Sequence, residues 1–537
     1  MRVCFIRFFS LFATIVVISD LSKILTLGQP TTVIALIGDA APDGNGSFGR
    51  GFGNPSLSGC GQVAFAARLT GTSGRSNDDT GVFRGDGVHP LTQIFREDEL
   101  APDGNGDFDD LFVDPYINPA GQVAIAGPLH FTTGPSNYGL FFSDGSKPIV
   151  QIARELQASP DGNGQFFGSF RAFSFGSTGY IAFRTILTNT VGGDADNSGI
   201  FRSDNSGALT TIVRGGDSAP DGNGVFRPII EDPQVNASGL VAYSAELEGT
   251  SSGFNDSVII VDDGVTSTII VRNGDSLPGG GNYVGNTCFA LSDSGEVAFA
   301  ALISNLAAGG VFRANGDSPV VEISRGGLAS PDGNGIIEGH SKVAINSKGF
   351  VVFEASICQD GSCEKAILLG DGVRPLELIV RTGQPTLNGN GVFSGFNTAL
   401  NDKGQVAFIA MMEGTASPPN DNIGIYFYDK NVGLLKVARK GDFFLGSTIT
   451  NVYFSSGFDF FQPKIESNGL NNLEQVAFRF KLANGDEGIA IWSFSNSPVV
   501  PNISITSFSS NSEANTIAWN VSPLDSVVYF SHFSRRS

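Results

Sequence analysis

The chain has 537 residues and a formal net charge of −20, yet only 16% of its residues are charged. An apolar fraction of 41%, with 44 Phe, is enough for a packed core and excludes a disordered or collagen-like chain. The acidic balance would repel a phosphate backbone, so we expect no nucleic-acid partner.

The N-terminus has the pattern of a signal peptide. Arg2 and Arg7 are followed by an apolar run that ends at Ile18, which is too short to span a bilayer. We therefore expect residues 1–28 to be removed. The mature chain is expected to be a monomer without a membrane span, and to be secreted, periplasmic or held at the cell surface.

One motif recurs along the rest of the chain. It has the form Asn-x-x-Gly-x-Val-Ala-Phe, with variations, and is clearest from Asn401 to Phe408. Its apolar strand begins at Val63, Val123, Ile181, Val241, Val297, Val351, Val406 and Val476. A long-period repeat of this kind indicates a solenoid, a propeller or an array of small modules.

Each repeat is predicted to hold four short antiparallel strands. The Val-Ala-Phe strand is apolar on both faces, which indicates burial on both sides. A variable loop leads to a third strand such as Gly81–Arg84, and a tight turn such as Asp86-Gly87 leads to a fourth. After the N-terminal run, no segment has convincing helical periodicity.

The phase of the repeats favours a closed ring over residues 33–495. Val33–Ile37 is a strand of the fourth type that precedes any first strand, and the last repeat ends at its third strand, Gly488–Trp492. In a ring the early strand would complete the last blade, whereas a solenoid has no use for this offset. We predict an all-β, eight-bladed propeller; a β-solenoid and a seven-bladed ring are the alternatives.

Two further features lie outside the repeat pattern. Residues 496–537 are a short β-rich tail whose segments Pro501–Phe508 and Asn515–Asn520 resemble the start of a fibronectin type III sandwich, although the tail is too short for a whole one. Cys358 and Cys363 flank an expected hairpin turn and are close enough to form a disulfide in an oxidising compartment.

A polar loop, Pro-Asp-Gly-Asn-Gly, precedes the first strand of several repeats. It starts at Pro42, Pro102, Pro160, Pro220 and Pro331. These residue types favour tight turns, so the loop is interpreted mainly as a turn. Only the second copy adds a further acid, and Asp103, Asn105 and Asp107 then have the alternating spacing of calcium ligands. A single calcium site at these three residues is the alternative, and no other cofactor is expected.

An arginine recurs six residues before that Pro position in seven repeats. These residues are Arg96, Arg154, Arg214, Arg272, Arg325, Arg381 and Arg439. A ring of guanidinium groups could capture an anionic ligand along a channel. Because the arginine repeats with the fold rather than marking one site, we favour a structural role within the blades.

The sequence offers little support for catalysis. The four His are at unrelated positions of the repeat, whereas a general base or a metal centre needs converging groups. No Gly-x-Ser-x-Gly motif and no phosphate-binding glycine loop are present. An enzyme is therefore not favoured, and we predict no catalytic residue.

The repeated core resembles that of the bacterial tandem-repeat NxxGxxAF proteins, which are exported surface proteins without an established activity. The resemblance covers residues 33–495 and implies a surface or extracellular module. The strands keep their pattern from repeat to repeat while the loops between them vary, so we expect the loops to bind a protein or a glycan. An extracellular hydrolase or lyase acting on glycans, with its site at the ring axis, is the alternative.

Overall fold

The structure is a computed structural model of the chain. It describes residues 31–494, apart from 147, 169, 171, 205, 229–231, 252–255, 456–457, 460–461 and 464–468, together with the strands of the C-terminal tail. Residues 1–30, which include the predicted signal peptide, lie outside the described residues. The chain divides into two units, and Thr31–Ser493 forms the larger one.

The larger unit is an eight-bladed β-propeller, as the sequence predicts. Strand β1, Thr31–Leu36, comes first in the chain. Blades 1 and 2 follow: β2 Ser47–Phe52, β3 Ser56–Leu57, β4 Val63–Thr70, β5 Thr80–Gly85 and β6 Thr92–Arg96, then β7 Asp107–Phe108, β8 Tyr116–Ile117, β9 Val123–His130, β10 Tyr138–Ser143 and β11 Val150–Arg154. Blades 3 and 4 have the same plan: β12 Gln165–Phe167, β13 Phe173–Phe175, β14 Ile181–Thr188, β15 Ser198–Ser203 and β16 Leu209–Arg214, then β17 Val225–Phe226, β18 Gln234–Val235, β19 Val241–Glu248, β20 Asp256–Asp262 and β21 Ser267–Arg272.

Blades 5 to 7 have an unbroken first strand. Their strands are β22 Tyr283–Leu291, β23 Val297–Ile303, β24 Leu306–Ala314 and β25 Val321–Arg325; β26 Ile336–Ile345, β27 Val351–Gln359, β28 Ser362–Gly370 and β29 Glu377–Arg381; and β30 Val392–Leu400, β31 Val406–Glu413, β32 Ile423–Asp429 and β33 Gly433–Arg439. In blades 1 to 4 the first strand is split in two, as in β7 and β8 of blade 2, and both pieces pair with the same second strand.

Blade 8 is closed by the start of the chain. It contains β34 Phe443–Phe444, β35 Ser447–Phe454, β38 Gln475–Leu482 and β39 Glu487–Ser493, with a small hairpin of β36 Phe458–Asp459 and β37 Gln462–Pro463 before β38. Strand β1 pairs antiparallel with β39, with Thr31 opposite Trp492 and Leu36 opposite Gly488. The predicted completion of the last blade by an N-terminal strand is therefore confirmed.

The core lies between neighbouring blades. One cluster joins blades 8 and 1 and includes Ala35, Phe48, Phe65, Phe83 and Ile489. All five side chains are fully or almost fully buried. Burying both faces of each sheet explains why the Val-Ala-Phe segment of each second strand is apolar at successive positions rather than at alternate ones.

Three features complete the fold. Two short 3₁₀ turns, Arg75–Asn77 and Gly193–Ala195, interrupt the loops after β4 and β14. Cys358 and Cys363, which the sequence places close enough to pair, form a disulfide across β27 and β28. No helix in the described residues is both long and apolar enough to cross a membrane.

The smaller unit contains the C-terminal tail. Strands β40 Asn502–Ser510, β41 Asn515–Ser522 and β42 Ser526–Phe530 form a three-stranded antiparallel sheet. The two segments that resemble the start of a fibronectin type III sandwich fall on β40 and β41.

Candidate functional site

The alternation of strands gives the propeller two different faces. The Asn-x-x-Gly turns join first to second strands, and the hairpins between third and fourth strands lie on the same side, which we name the Asn face. The variable loops between second and third strands, and the connections that contain Pro-Asp-Gly-Asn-Gly, lie on the opposite side, which we name the loop face. Either face could carry a binding site, so each is described from its side chains.

On the Asn face, a central cavity of about 220 Å³ opens at the ring axis. Every blade contributes residues to it from or beside its Asn-x-x-Gly turn, among them Gly59, Ser177 and Asn401. The first strand of each blade is therefore the one nearest the axis. This cavity is where the alternative prediction, an enzyme, would place its site.

The Asn of the motif holds neighbouring blades together around this cavity. The Oδ1 of Asn401 accepts hydrogen bonds from the backbone N–H groups of Lys403 and Gln405, both at 3.0 Å, while its Nδ2 donates to the carbonyl of Asn471 in the next blade at 3.0 Å. Asn471 in turn donates to the carbonyl of Ser58 at 3.0 Å and joins blade 8 to blade 1. The motif thus recurs for a structural reason, because it caps its own turn and links two blades.

The carboxylates at the cavity rim also accept hydrogen bonds from neighbouring turns. The Oδ1 of Asp402 accepts from the backbone N–H of Ser347 at 2.9 Å and from its hydroxyl at 2.6 Å, and Oδ2 accepts from Asn472 at 2.8 Å. Burial acts to raise the pKa of Asp402, but these hydrogen bonds outweigh it and hold the pKa below its ordinary value. A general acid needs the opposite shift, so this carboxylate is poorly suited to that role.

On the loop face, the Pro-Asp-Gly-Asn-Gly loop fastens the variable loop of its own blade. In blade 3, the backbone N–H of Asn163 donates to Asp161 at 3.0 Å, which closes the turn. The Oδ1 of Asn163 accepts from the N–H of Val191 at 2.8 Å, and its Nδ2 donates to Asp196 at 2.7 Å. Val191 and Asp196 belong to the variable loop, so the repeated loop holds the variable loop in place. We call this set of contacts the mount.

The recurrent arginine completes this mount. In blade 3, Arg214 is 4% exposed; its Nη1 donates to Asp161 at 2.6 Å, and its Nη2 donates to the carbonyls of Asn163 and Asp196 at 3.2 and 2.6 Å. The same pairing of arginine with the Asp of the loop joins Arg96 to Asp43, Arg154 to Asp103, Arg272 to Asp221 and Arg381 to Asp332. The arginines therefore have the structural role that the sequence favoured, as clamps within each blade.

The three residues of the predicted calcium site have different surroundings. Arg154 Nη1 donates to both carboxylate oxygens of Asp103 at 2.6 and 2.7 Å. The Oδ1 of Asn105 accepts from the backbone N–H of Thr133 at 2.6 Å. Asp107 opens β7 directly opposite His130 of β9, and Asp103 is not part of the group of ligand-type side chains that surrounds Asp107.

Asp98 and His130 were missed by the sequence reasoning, although both lie beside Asp107. A signal was available, because Asp98 occupies a repeat position that holds Gly in most copies. The remaining histidines of the described residues, His89 and His340, lie in blades 1 and 6 and do not join this group.

The clamp of blade 6 predicts a measurable pH dependence. Burial acts to raise the pKa of Asp332, but hydrogen bonds from Ser330, Asn334 and Arg381 outweigh it and set the pKa at about 2, below the ordinary 3.8. A carboxyl whose pKa is lower in the folded state stabilises the fold above its unfolded pKa, and this contribution is lost as the pH falls through about 2.

Replacing Asp332 with Asn should therefore lower the free energy of unfolding by about 1–2 kcal/mol at pH 7, as charge-assisted hydrogen bonds are lost. The difference between the two proteins should shrink between pH 4 and pH 2, which urea unfolding at a series of pH values would measure. Asp360→Asn, at an exposed hairpin tip, is the control and should change little at any pH. If the free energies of unfolding of Asp332→Asn and of the parent chain changed in parallel with pH, the low pKa assigned to Asp332 would be contradicted.

Comparisons with solved structures find only distant likenesses. Prolyl oligopeptidase B from Galerina marginata is 11% identical with a TM-score of 0.40, over 81% of this chain and 56% of that one. The polysaccharide lyase Uly1 is 10% identical with a TM-score of 0.36, over 76% and 99% of the two chains. The acylaminoacyl peptidase of Pyrococcus horikoshii is 11% identical with a TM-score of 0.35, over 80% and 57%. The chain thus spans little more than half the length of the first of these proteins, and likenesses at this level carry no functional information.

Sequence comparison is more specific. A search of curated proteins finds no match. The sequence profile of a family of unknown function, DUF7453, matches residues 9–388 and again 366–502. Since these matches cover nearly all of the propeller, the chain belongs to the DUF7453 family.

Proposed function

We propose that the chain is an exported, non-enzymatic binding module that holds a protein or glycan ligand outside the cell through its loop face. The observation that carries the proposal is the mount beneath the variable loops. In blades 1, 3 and 7, the Asn of the repeated loop donates to an Asp of a variable loop whose own sequence differs from blade to blade. A constant scaffold below variable loops is the usual arrangement of a binding surface.

The axial cavity and the variable loops leave different side chains free to meet a ligand. At the axial cavity, the Asn and Asp side chains described above already bond to neighbouring turns. On the loop face, the variable loops present large apolar side chains to solvent, with Phe131 at 78% and Val191 at 94% exposed. These residues give the loop face contact area that is not already used by the fold.

Export and family resemblance are part of the same proposal. The apolar run after Arg7 would direct the chain out of the cytoplasm, and the Asn-x-x-Gly core resembles that of the NxxGxxAF surface proteins. Cys358 and Cys363 are placed to form a disulfide, which persists in an oxidising compartment. N-terminal sequencing of the chain recovered outside its host cell would test export and removal of the leader; a chain found only inside the cell, or one that retains Met1, would contradict them.

The binding face can be tested with matched apolar substitutions. The chain's net charge of −20 disfavours polyanions, so the probes are the neutral polysaccharides arabinan, xylan and β-glucan, with alginate as an acidic comparison. Affinity gel electrophoresis of the full chain should show retardation by at least one of them. The double variant Phe131→Ser/Val191→Ser should reduce that affinity at least tenfold.

The control changes two equally exposed apolar residues on the Asn face. Val88 and Val265, at the hairpins between third and fourth strands, are 80% and 93% exposed. Val88→Ser/Val265→Ser should leave the affinity unchanged. If this control pair weakens binding and the loop-face pair does not, the binding face is wrongly assigned. If no polysaccharide retards the chain, the glycan part of the proposal fails, and only a protein ligand would agree with it.

A further inference from the structure

One blade of the propeller carries a group of side chains that the others lack. In blade 2, ligand-type atoms of Asp98, Asp107 and His130 all lie within 4.8 Å of one another. A fourth side chain, Asp109, has its Oδ1 3.6 Å from Nδ1 of His130. We name these four residues the blade 2 cluster.

Strand pairing brings the cluster together from three segments. Asp107 and His130 are direct partners in the antiparallel pairing of β7 with β9. Asp98 lies in the connection before β7, where its backbone N–H donates to the carbonyl of Phe108 at 2.9 Å. Asp109 is two residues beyond Asp107, and alternate residues of an extended strand project to the same side. The four side chains of the cluster therefore lie near one another on three adjacent segments at the loop face.

The negative charge of the cluster has no cationic partner within the described residues. No Lys or Arg of that part of the chain forms an ion pair with Asp98, Asp107 or Asp109. The Asp of the neighbouring loop, Asp103, is by contrast held by Arg154 at 2.6 Å. The carboxylates of Asp98 and Asp107 lie close together without a counter-charge and repel one another, and a bound cation would remove that cost.

The imidazole supplies a separate observation. Although the His130 side chain is 22% exposed, its Nδ1 is itself buried and forms no hydrogen bond. Buried polar atoms almost always have a partner, and each exception needs an explanation. A metal ion is one partner that an imidazole nitrogen beside carboxylates accepts.

The other blades serve as an internal comparison. The position of Asp98 is Gly in six blades, at Gly38, Gly216, Gly274, Gly327, Gly383 and Gly441, each with a positive φ. Asp98 has a φ of +67°, in the left-handed region that favours glycine. At the positions of Asp107 and His130, blade 1 has Ser47 and Thr70 and blade 3 has Gln165 and Thr188. Only blade 2 has carboxylates and an imidazole at these places at once.

We propose that the blade 2 cluster binds one divalent transition-metal ion of the zinc class, with His130 as nitrogen ligand and Asp98, Asp107 and Asp109 as oxygen ligands. Zinc accepts both imidazole nitrogen and carboxylate oxygen, whereas calcium favours sites made only of oxygen. Adjacent ligand atoms around a four-coordinate zinc are about 3.4 Å apart, which small side-chain movements would reach from the present spacing. This site does not depend on the proposed ligand of the loop face.

The test uses the full chain, freed of metal by chelation and titrated with zinc chloride. Isothermal titration calorimetry should show one tight equivalent, and saturating zinc should raise the melting temperature. Asp98→Gly installs the residue that most blades have, so it should fold at least as well as the parent while binding zinc at least tenfold more weakly. His130→Thr, which installs the residue of blades 1 and 3, should weaken zinc binding to a similar extent.

Leu156→Gly is the matched control, because Leu156 has the same repeat position in blade 3 and a φ of +65°. It should leave zinc binding unchanged. The proposal is overturned if the parent chain shows no saturable zinc binding, or if Asp98→Gly and His130→Thr both bind zinc like the parent. The proposal would also be overturned if the chain bound calcium instead of zinc, and if that binding were lost in Asp103→Asn and kept in His130→Thr. This result would favour a calcium site at the loop of Asp103, Asn105 and Asp107.

Discussion

An aspartate in place of Ala35 is expected to lower the free energy of unfolding by more than about 4 kcal/mol and to open the ring at blade 8. Ala35 is fully buried in β1, between β39 and the phenylalanine core of blade 1. A carboxylate there would be buried without a partner, which is among the most costly single changes a core can undergo. Because β1 is the strand that closes the ring, its loss would also expose the facing sides of blades 8 and 1.

The matched control for Ala35→Asp is Thr32→Asp, since Thr32 is in the same strand but exposed. The control should cost less than about 1 kcal/mol. Trp492, opposite Thr31 and only 2% exposed, makes fluorescence a reporter of this blade during urea unfolding, best measured with Trp519→Phe as background. Equal costs for the two aspartates would show that β1 does not hold the ring closed.

Methionine in place of Arg154 is expected to lower the free energy of unfolding by about 3 kcal/mol. Arg154 is 4% exposed and donates to both oxygens of Asp103, to the carbonyl of Asn105, and to the hydroxyl and carbonyl of Ser136. The change would leave Asp103 without its partner and would release the variable loop that holds Ser136. Arg154 is buried, whereas Asp103 keeps 36% of its side chain exposed, so most of the expected loss comes from the hydrogen bonds that Asn105 and Ser136 lose.

Arg227→Met is the control for this substitution. Arg227 pairs with Glu246 at 2.9 Å, but both side chains are exposed, at 39% and 53%, so the change should cost less than about 1 kcal/mol. Adding Asp103→Asn to Arg154→Met should recover part of the loss, because the unpaired charge is removed. A cost for Arg154→Met no larger than that of the control would contradict the clamp.

The ring itself could be predicted from the sequence because its evidence is periodic. The position of Val33–Ile37 ahead of the first repeat and the end of the last repeat at Trp492 together predict the closing pair of strands, which the structure has as β1 and β39. The two-sided burial of each sheet was equally visible, because the Val-Ala-Phe segment is apolar at three successive positions.

The contacts of the loop face could not be predicted in the same way. The Pro-Asp-Gly-Asn-Gly loop and the recurrent arginine were recognised separately, yet Asp103 and Arg154 are 51 residues apart, and only folding of the blade joins them. Local spacing grouped Asp107 with Asp103, whereas strand pairing sets Asp107 beside Asp98 and His130. The separation of each Asp from its Arg stays between 49 and 53 residues in the five pairs, and this near-constant spacing was the signal that could have revealed the clamp.

The chain length of a retained polysaccharide tests most directly whether this propeller binds its ligand or cleaves it. The measurement incubates the full chain, in chelator and again in zinc, with arabinan, xylan, β-glucan and alginate. The bound fraction is eluted and sized by chromatography, with reducing ends and absorbance at 235 nm followed in parallel. A binding module should return the polysaccharide at its original length with no new ends. Shortened chains or a rise in absorbance in either condition would contradict a non-enzymatic module and would favour a hydrolase or lyase.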